Sequence, residues 1–152
     1  MSINFITGDA TQPIGEGNKI ICHICNDEKK WGAGFVLAIS ARWKEPQIQY
    51  KTWKKYVGGA VQFVQVEDDI MVANMIGQHG VRRSGGRPPV RYEWVEEALT
   101  KVAEKAREWS ASIHMPRIGC GLAGGKWNRI QEKIDKCLSP DELDIYVYDF
   151  EE

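Results

Sequence analysis

Residues 115–127, with the sequence MPRIGCGLAGGKW, carry the residue types and the spacing best suited to chemistry. The stretch holds four glycines between a short apolar run at 112–115 and an amphipathic segment at 127–137. A strand, a glycine-rich turn and a helix start form a common phosphate site, because glycine lets the backbone approach a ligand and the first helical N–H groups point at it. The spacing is neither GxxxxGKS/T nor GxGxxG. It therefore predicts an anion site of another kind, with an ordinary turn as the alternative.

A second glycine-rich turn, Trp31-Gly-Ala-Gly34, follows a predicted strand at 19–25 and precedes an apolar helix predicted at 35–43. In α/β sheets, ligands bind beyond the carboxyl ends of the strands. Two phosphate-capable loops at one edge of a sheet suit a diphosphate better than a single phosphate. Trp31 itself has two interpretations, as a core side chain or as part of the ligand site.

His23 and Asp9 are the side chains that could act near these loops. His23 lies near the carboxyl end of the strand at 19–25. A lone histidine in a strand is more often a core residue than a catalyst, but an imidazole at this position could protonate a leaving oxygen or orient water. Asp9 follows the first predicted strand and could accept hydrogen bonds from a ligand, or could only cap its own turn.

The four cysteines do not predict a disulfide or a metal site. Cys22 and Cys25 are three residues apart on a predicted strand, so their side chains face opposite sides of the sheet and cannot converge on one ion or one bond. Cys120 and Cys137 supply no second CxxC pair. We expect reduced cysteines, with no metal and no cofactor.

Length and composition predict one globular domain over residues 1–152. The chain has 43% hydrophobic and 27% charged residues, and its formal net charge is −1. This composition suits a protein that buries a full core, and the charge argues against nucleic acid or an anionic membrane as a partner. No apolar run approaches the roughly 20 residues of a membrane span, and the first residues lack the features of a signal peptide. A cytoplasmic location is the expectation.

Predicted strands and helices interleave along the chain, which indicates a three-layer α/β/α domain around a mixed sheet of about six strands. The two strands joined by an acidic turn form a predicted hairpin. The predicted strands are 3–7, 19–25, 60–66, 69–76, 112–115 and 143–150, and the predicted helices are 35–43, 48–56, 90–109 and 127–137.

The polar, basic loop at 77–89 is long enough to suggest a function. Its arginines and the one that follows could clasp a terminal phosphate or form a solvated basic surface; they are Arg82, Arg83, Arg87 and Arg91. His79 and His114 receive no predicted role.

These motifs together resemble the macrodomain family, the ADP-ribose-binding fold. The residues that carry the resemblance are the Gly-Asp-x-Thr at 8–11, Asn26 with the turn at 31–34, and the MPRIGCGL at 115–122. The match runs nearly from end to end, with strands and helices in the family's order. Within the family, the chain looks most similar to the branch that contains ADP-ribose 1″-phosphate phosphatase and terminal ADP-ribose protein glycohydrolase.

The resemblance implies a role for each motif. Asp9 would accept a hydrogen bond from the adenine amino group, Asn26 would bond the distal ribose, and the loop at 77–89 would border the terminal ribose or the adenine. His23 matches a histidine of the phosphatase branch and is the predicted catalytic residue. Backbone groups of residues 32–36 and 119–125 would hold the diphosphate and distal ribose. The remaining predicted ligand-binding residues are Trp31, Gly32, Ala33, Gly34, Val36, Ile118, Gly119, Cys120, Gly121, Leu122, Ala123, Gly124 and Gly125.

Two departures from the family pattern narrow the expected reaction. The glycohydrolase has a lysine nucleophile and an aspartate at positions that correspond here to Gln78 and Ala123. Glutamine cannot form a covalent adduct with an opened ribose, and alanine supplies no acid or base, so the lysine mechanism is not expected.

The predicted function is that of a hydrolase that removes the phosphate of ADP-ribose 1″-phosphate. The alternatives are a hydrolase of ADP-ribosyl esters or O-acetyl-ADP-ribose, and a reader that binds ADP-ribose without turnover. The sequence identifies no protein partner.

Overall fold

Six strands form one mixed sheet in the computed structural model, which describes residues 3–150. Residues 1, 2, 151 and 152 of the predicted domain lie outside the described range. The strands are β1 (Asn4–Thr7), β2 (Asn18–Asn26), β3 (Val61–Glu67), β4 (Ile70–Gln78), β5 (Ala111–Met115) and β6 (Ile145–Asp149). The helices are α1 (Phe35–Arg42), α2 (Glu45–Thr52), α3 (Tyr92–Trp109) and α4 (Trp127–Cys137).

The strand order in the sheet is β1-β6-β5-β2-β4-β3. All neighbouring strands are parallel except β3 and β4, which form the predicted antiparallel hairpin. The parallel strands therefore end at the same edge, which we call the carboxyl edge. The loops that follow β1, β2, β4 and β5 meet there.

Strand β2 lies inside the sheet and sends alternate side chains into two hydrophobic cores. Ile20 and Cys22 pack with α3 and α4, whereas Ile21 and Cys25 pack with α1 and α2. The three-layer α/β/α prediction is confirmed. Cys22 and Cys25 lie on opposite faces, and burial raises the pKa of both thiols, so they stay protonated.

Helix α3 covers one face of the sheet with an apolar stripe at helical spacing, in which Val95, Leu99, Val102 and Ala106 are completely buried. It ends at Ser110, which adopts the left-handed conformation with φ 53° and donates its N–H to carbonyls of the last turn.

Helix α2 begins three residues before the predicted start at residue 48 and ends at Thr52. Pro46 lies in its first turn, where a missing N–H costs no hydrogen bond. Pro46 therefore accounts for the earlier start of α2. Within residues 3–150, no helix is long and apolar enough to cross a membrane.

Candidate functional site

A cavity of about 220 Å³ lies between the two glycine loops at the carboxyl edge, and we call it the central cavity. The structure thus brings together the loops that follow β2 and β5, as the strand order requires because these strands are neighbours. The lining residues are His23, Ile24, Ala33, Gly34, Phe35, Val36, Gln78, Pro116, Arg117, Ile118, Gly119, Gly121, Leu122 and Ala123.

The start of α1 supplies unpaired donors on one side of this cavity. Gly34 is the residue before the helix, with φ 81°, and no side chain caps the helix. Among the described residues, no acceptor takes the N–H groups of Phe35 and Val36, although both residues line the cavity. Unpaired N–H groups at a helix N-terminus favour an anion.

The loop after β5 supplies donors on the other side. Gly125 donates its N–H to the carbonyl of Gly119 at 2.7 Å, which closes the loop upon itself. Val90, just before α3, donates to the carbonyl of Ala123 at 3.0 Å and holds the loop against that segment. The N–H groups of Gly121 and Leu122 have no acceptor within residues 3–150. Two sets of backbone donors therefore border one cavity.

A second cavity of about 420 Å³ continues the central cavity towards β1 and β6, and we call it the apolar cavity. Together the two volumes fall within the roughly 300–1,000 Å³ of small-molecule sites. The two cavities share Gly34, Phe35 and Pro116. The apolar cavity is also lined by Gly8, Asp9, Ala10, Ala38, Tyr148 and Phe150.

Asp9 both caps its turn and borders the apolar cavity. Its Oδ1 accepts from the N–H of Thr11 at 2.8 Å and from the Thr11 hydroxyl at 2.7 Å. No hydrogen bond engages its Oδ2 in the described part of the chain. The turn role and the ligand role, which were alternatives in the sequence, are therefore compatible, because each can use a different oxygen.

His23 lines the central cavity although its side chain is almost completely buried. Its ring packs edge-on against Trp31, with centroids 5.4 Å apart. Nε2 lies 2.5 Å from Oδ1 of Asn74 on β4. Burial lowers the pKa of His23 to about 4, and the hydrogen bond to Asn74 offsets only part of that effect. The imidazole is therefore neutral at pH 7.

Asn26 and Trp31 do not line the central cavity. The Asn26 side chain is engaged by its own turn, because Oδ1 accepts from the N–H groups of Glu28 and Lys30 and from the Tyr50 hydroxyl, and Nδ2 donates to a carbonyl. The Trp31 indole donates to the Ser40 hydroxyl at 2.8 Å and is buried in the core beneath α1 and α2. For Trp31, the geometry matches the core interpretation.

Four predicted binding residues also lie off the central cavity lining: Gly32, Cys120, Gly124 and Gly125. The last two shape the loop, since Gly124 has φ +77° and a Cβ on Gly125 would overlap the Gly119 carbonyl oxygen.

Sequence reasoning did not identify Tyr148 and Phe150, which line the apolar cavity, and it included Phe35 only as part of the backbone segment 32–36. Tyr148 and Phe150 lie at the carboxyl end of the last predicted strand. Because ligands bind at the carboxyl ends of strands in such sheets, this position could have indicated both residues from the sequence.

A third cavity of about 370 Å³ lies between the loops that follow β2 and β4, and we call it the basic cavity. Its lining residues are Glu28, Lys30, His79, Gly80, Val81, Arg82, Arg83 and Ser84. Arg91 is neither a clasp nor a solvated residue, because it is buried and donates to the carbonyls of Pro88, Pro89 and Val90. Among residues 3–150, no three His, Cys, Asp or Glu side chains converge as a metal site.

Comparison with solved structures finds similar folds over the whole chain. A protein of unknown function from Bacteroides thetaiotaomicron is 51% identical with a TM-score of 0.96, covering 98% of each chain. A macrodomain protein from Streptomyces coelicolor is 47% identical with a TM-score of 0.87, covering 97% of this chain and 99% of its own. No family model matches the chain.

Comparison with curated proteins finds two kinds of relative. The mouse Chromodomain-helicase-DNA-binding protein 1-like is 30% identical over 98% of this chain, but the chain spans only 18% of the length of that protein. An ADP-ribose 1″-phosphate phosphatase from Lodderomyces elongisporus is 20% identical, with 97% of this chain and 98% of the phosphatase aligned.

Proposed function

Because this chain belongs to the macrodomain family, the ADP-ribose-binding fold, we propose that it binds ADP-ribose or a derivative along the carboxyl edge of its sheet. The observation that carries the proposal is the continuity of the apolar and central cavities through Gly34, Phe35 and Pro116. One end of this groove is aromatic with a free carboxylate oxygen, and its middle is bordered by backbone donors.

The apolar cavity suits the adenine. The free Oδ2 of Asp9 can accept from the exocyclic amino group, and the rings of Phe35 and Phe150 offer faces for a base to stack on. Phe150 is 70% exposed, so its ring is accessible to a base that enters the apolar cavity.

The central cavity suits the diphosphate and the distal ribose. The N–H groups of Phe35 and Val36 can bond one phosphate and those of Gly121 and Leu122 the other. With the adenine at β1 and β6, the distal ribose extends towards β2 and β4, where His23 and Gln78 line the cavity.

The finer proposal is that the protein hydrolyses ADP-ribose 1″-phosphate. Water attacks the phosphorus, and the bond from phosphorus to the ribose 1″ oxygen breaks with its electron pair going to that oxygen. The oxygen takes up the proton that the water gives up, and ADP-ribose and phosphate leave. A neutral His23 can accept the proton of the attacking water, which makes it a base rather than an acid at pH 7. The phosphatase relative supports this reaction, and hydrolysis of ADP-ribosyl esters or O-acetyl-ADP-ribose is the related alternative.

A reader without turnover is the second candidate, and one observation favours it. Of the described residues that line the central cavity, only His23 could take a proton from water, since Asp, Glu, Lys, Tyr and Cys are absent from the lining. Gln78 and Ala123 line the same cavity, so the lysine and aspartate of the glycohydrolase mechanism have no counterpart there.

Two measurements test these proposals. The first is calorimetric titration with ADP-ribose in a chelator, where absence of binding at millimolar ligand would overturn the proposed site. The second is incubation with ADP-ribose 1″-phosphate, with released phosphate followed over time. Release supports the phosphatase, and binding without release supports the reader.

A further inference from the structure

The three cavities form a row along the carboxyl edge in the order of the strands. The apolar cavity lies at β1 and β6, the central cavity at β5 and β2, and the basic cavity at β2 and β4. Gln78 lines the central cavity and the next residue, His79, lines the basic cavity. Consecutive residues of the chain therefore border the two cavities, although the cavities share no lining residue.

The basic cavity has an excess of cationic side chains. Lys30, Arg82 and Arg83 line it together with the single carboxylate of Glu28, which lies 3.6 Å from Lys30. Arg82 makes no hydrogen bond or ion pair with any described residue. A free guanidinium beside other cations suits an anion with several oxygens.

The loop after β4, which carries Arg82 and Arg83, is held in place by hydrogen bonds with Asp27 and Gln78. Asp27 accepts the N–H of Gly80 at 2.7 Å through Oδ1 and contacts Nδ1 of His79 at 2.7 Å through Oδ2. Gln78 donates to the carbonyl of Gly80 at 2.8 Å. The His79 ring is thus oriented through Nδ1, and no described residue engages its Nε2.

We propose that the basic cavity is a phosphate subsite for a group attached to the distal ribose of bound ADP-ribose. The phosphate oxygens accept hydrogen bonds from the guanidinium groups of Arg82 and Arg83. The inference rests on the proposed function, because the proposed orientation of ADP-ribose is what directs the 1″ position towards β4. A basic cavity at this place favours a phosphate over an uncharged group on the 1″ position of the distal ribose.

The first test uses ¹⁵N-labelled protein saturated with ADP-ribose, so that the diphosphate donors are occupied. Inorganic phosphate is added at constant ionic strength, and backbone amide shifts are followed. We expect saturable shifts at residues 79–84. Arg82→Gln should lose them, whereas Arg87→Gln should keep them, because Arg87 is exposed on the same loop outside the cavity. Absence of these shifts in the ADP-ribose complex overturns the subsite and leaves ADP-ribose binding intact.

The second test asks whether the phosphate can be attached to the ribose. The probe is an ADP-ribose 1″-phosphonate in which a methylene group replaces the bridging oxygen, so that it is not hydrolysed. We expect it to bind roughly tenfold or more tightly than ADP-ribose, with the gain lost in Arg82→Gln and kept in Arg87→Gln. Equal affinity for the two ligands overturns the proposal even if free phosphate binds. Failure of both ligands to bind overturns the proposed function as well.

Discussion

Nε2 of His23 donates a hydrogen bond to Oδ1 of Asn74, 2.5 Å away on the neighbouring strand. The direction follows from the other contacts of the amide, because Nδ2 of Asn74 donates to the carbonyl of Pro46 at 3.2 Å and to Gln62 at 3.1 Å. Oδ1 is therefore the acceptor and Nε2 carries the proton. Nδ1 of the neutral ring then carries the lone pair, and the buried thiol of Cys25 lies 4.0 Å from it. Nδ1 is therefore the ring nitrogen that a substrate water would use, in competition with that thiol.

Variants of this pair separate the two roles. His23→Gln and Asn74→Ala should both lower the melting temperature, because each leaves a buried polar group without its partner, at a cost of about 1–3 kcal/mol. His23→Gln should slow phosphate release by a factor of about 10²–10⁴, whereas Asn74→Ala should slow it less, because it keeps the imidazole and removes only the partner that fixes its tautomer. Equal turnover per folded molecule in the two variants would show that His23 is a core residue alone.

Stability should fall in mild acid. Burial lowers the pKa of His23 from 6.5 to about 4 and that of His114 from 6.5 to about 3. Between pH 6.5 and 4 the unfolded chain binds these protons and the folded chain does not, so the stabilisation is complete above pH 6.5 and is lost as the pH falls. Each histidine contributes a slope of about 1.4 kcal/mol per pH unit to the free energy of unfolding. Urea unfolding from pH 7 to 5 measures it, and a flat profile would contradict the burial of both rings.

Asp9→Asn should discriminate between ligands. The variant keeps an oxygen for the N–H of Thr11 and so preserves the turn, but replaces the free carboxylate oxygen with a donor. We expect ADP-ribose to bind about 1.5–3 kcal/mol more weakly, while inosine diphosphate ribose, which lacks the amino group, loses less. Calorimetry with both ligands measures this difference. If the variant loses the same affinity for both ligands, Asp9 stabilises only its own turn and does not bind the adenine.

Phe150→Ala should weaken ADP-ribose binding by about 1–3 kcal/mol, because stacking on an aromatic ring is lost. Phe150 is mostly exposed, so the melting temperature should barely change. Phe150→Tyr keeps a stacking face and is the matched control that should bind normally. If Phe150→Ala binds ADP-ribose with unchanged affinity, the Phe150 ring does not contact the ligand.

Two alanine substitutions in the loop after β5 should separate folding from binding. At Gly125 a Cβ would overlap the Gly119 carbonyl oxygen, so Gly125→Ala should reduce both the melting temperature and ADP-ribose affinity. At Gly121 a Cβ meets nothing within 4 Å, so Gly121→Ala should keep the melting temperature. Because Gly121 lines the central cavity and its N–H is a proposed phosphate donor, the added bulk should still weaken binding. Normal stability in Gly125→Ala would contradict the loop geometry.

Local signals in the sequence are sufficient to predict the strands, the helices and the two glycine loops. Apolar periodicity and turn residues are local signals, and they placed β2, α3 and the glycine loop after β5 close to their observed bounds. The opposite orientation of Cys22 and Cys25 also followed from local geometry, since side chains alternate on any strand. The meeting of the two glycine loops followed from the rule for the carboxyl edge.

The tertiary structure alone decided which side chains remain free for a ligand. Asn26 is engaged by its own turn and by Tyr50 of α2, and Arg91 is buried against the carbonyls of its loop. Phe150, by contrast, is left exposed beside Asp9. A side chain's hydrogen-bond partners depend on which elements the strand order β1-β6-β5-β2-β4-β3 makes neighbours, and that order does not follow the chain. Residue types and spacing therefore show where a site can form, and packing determines which polar atoms are left to bind.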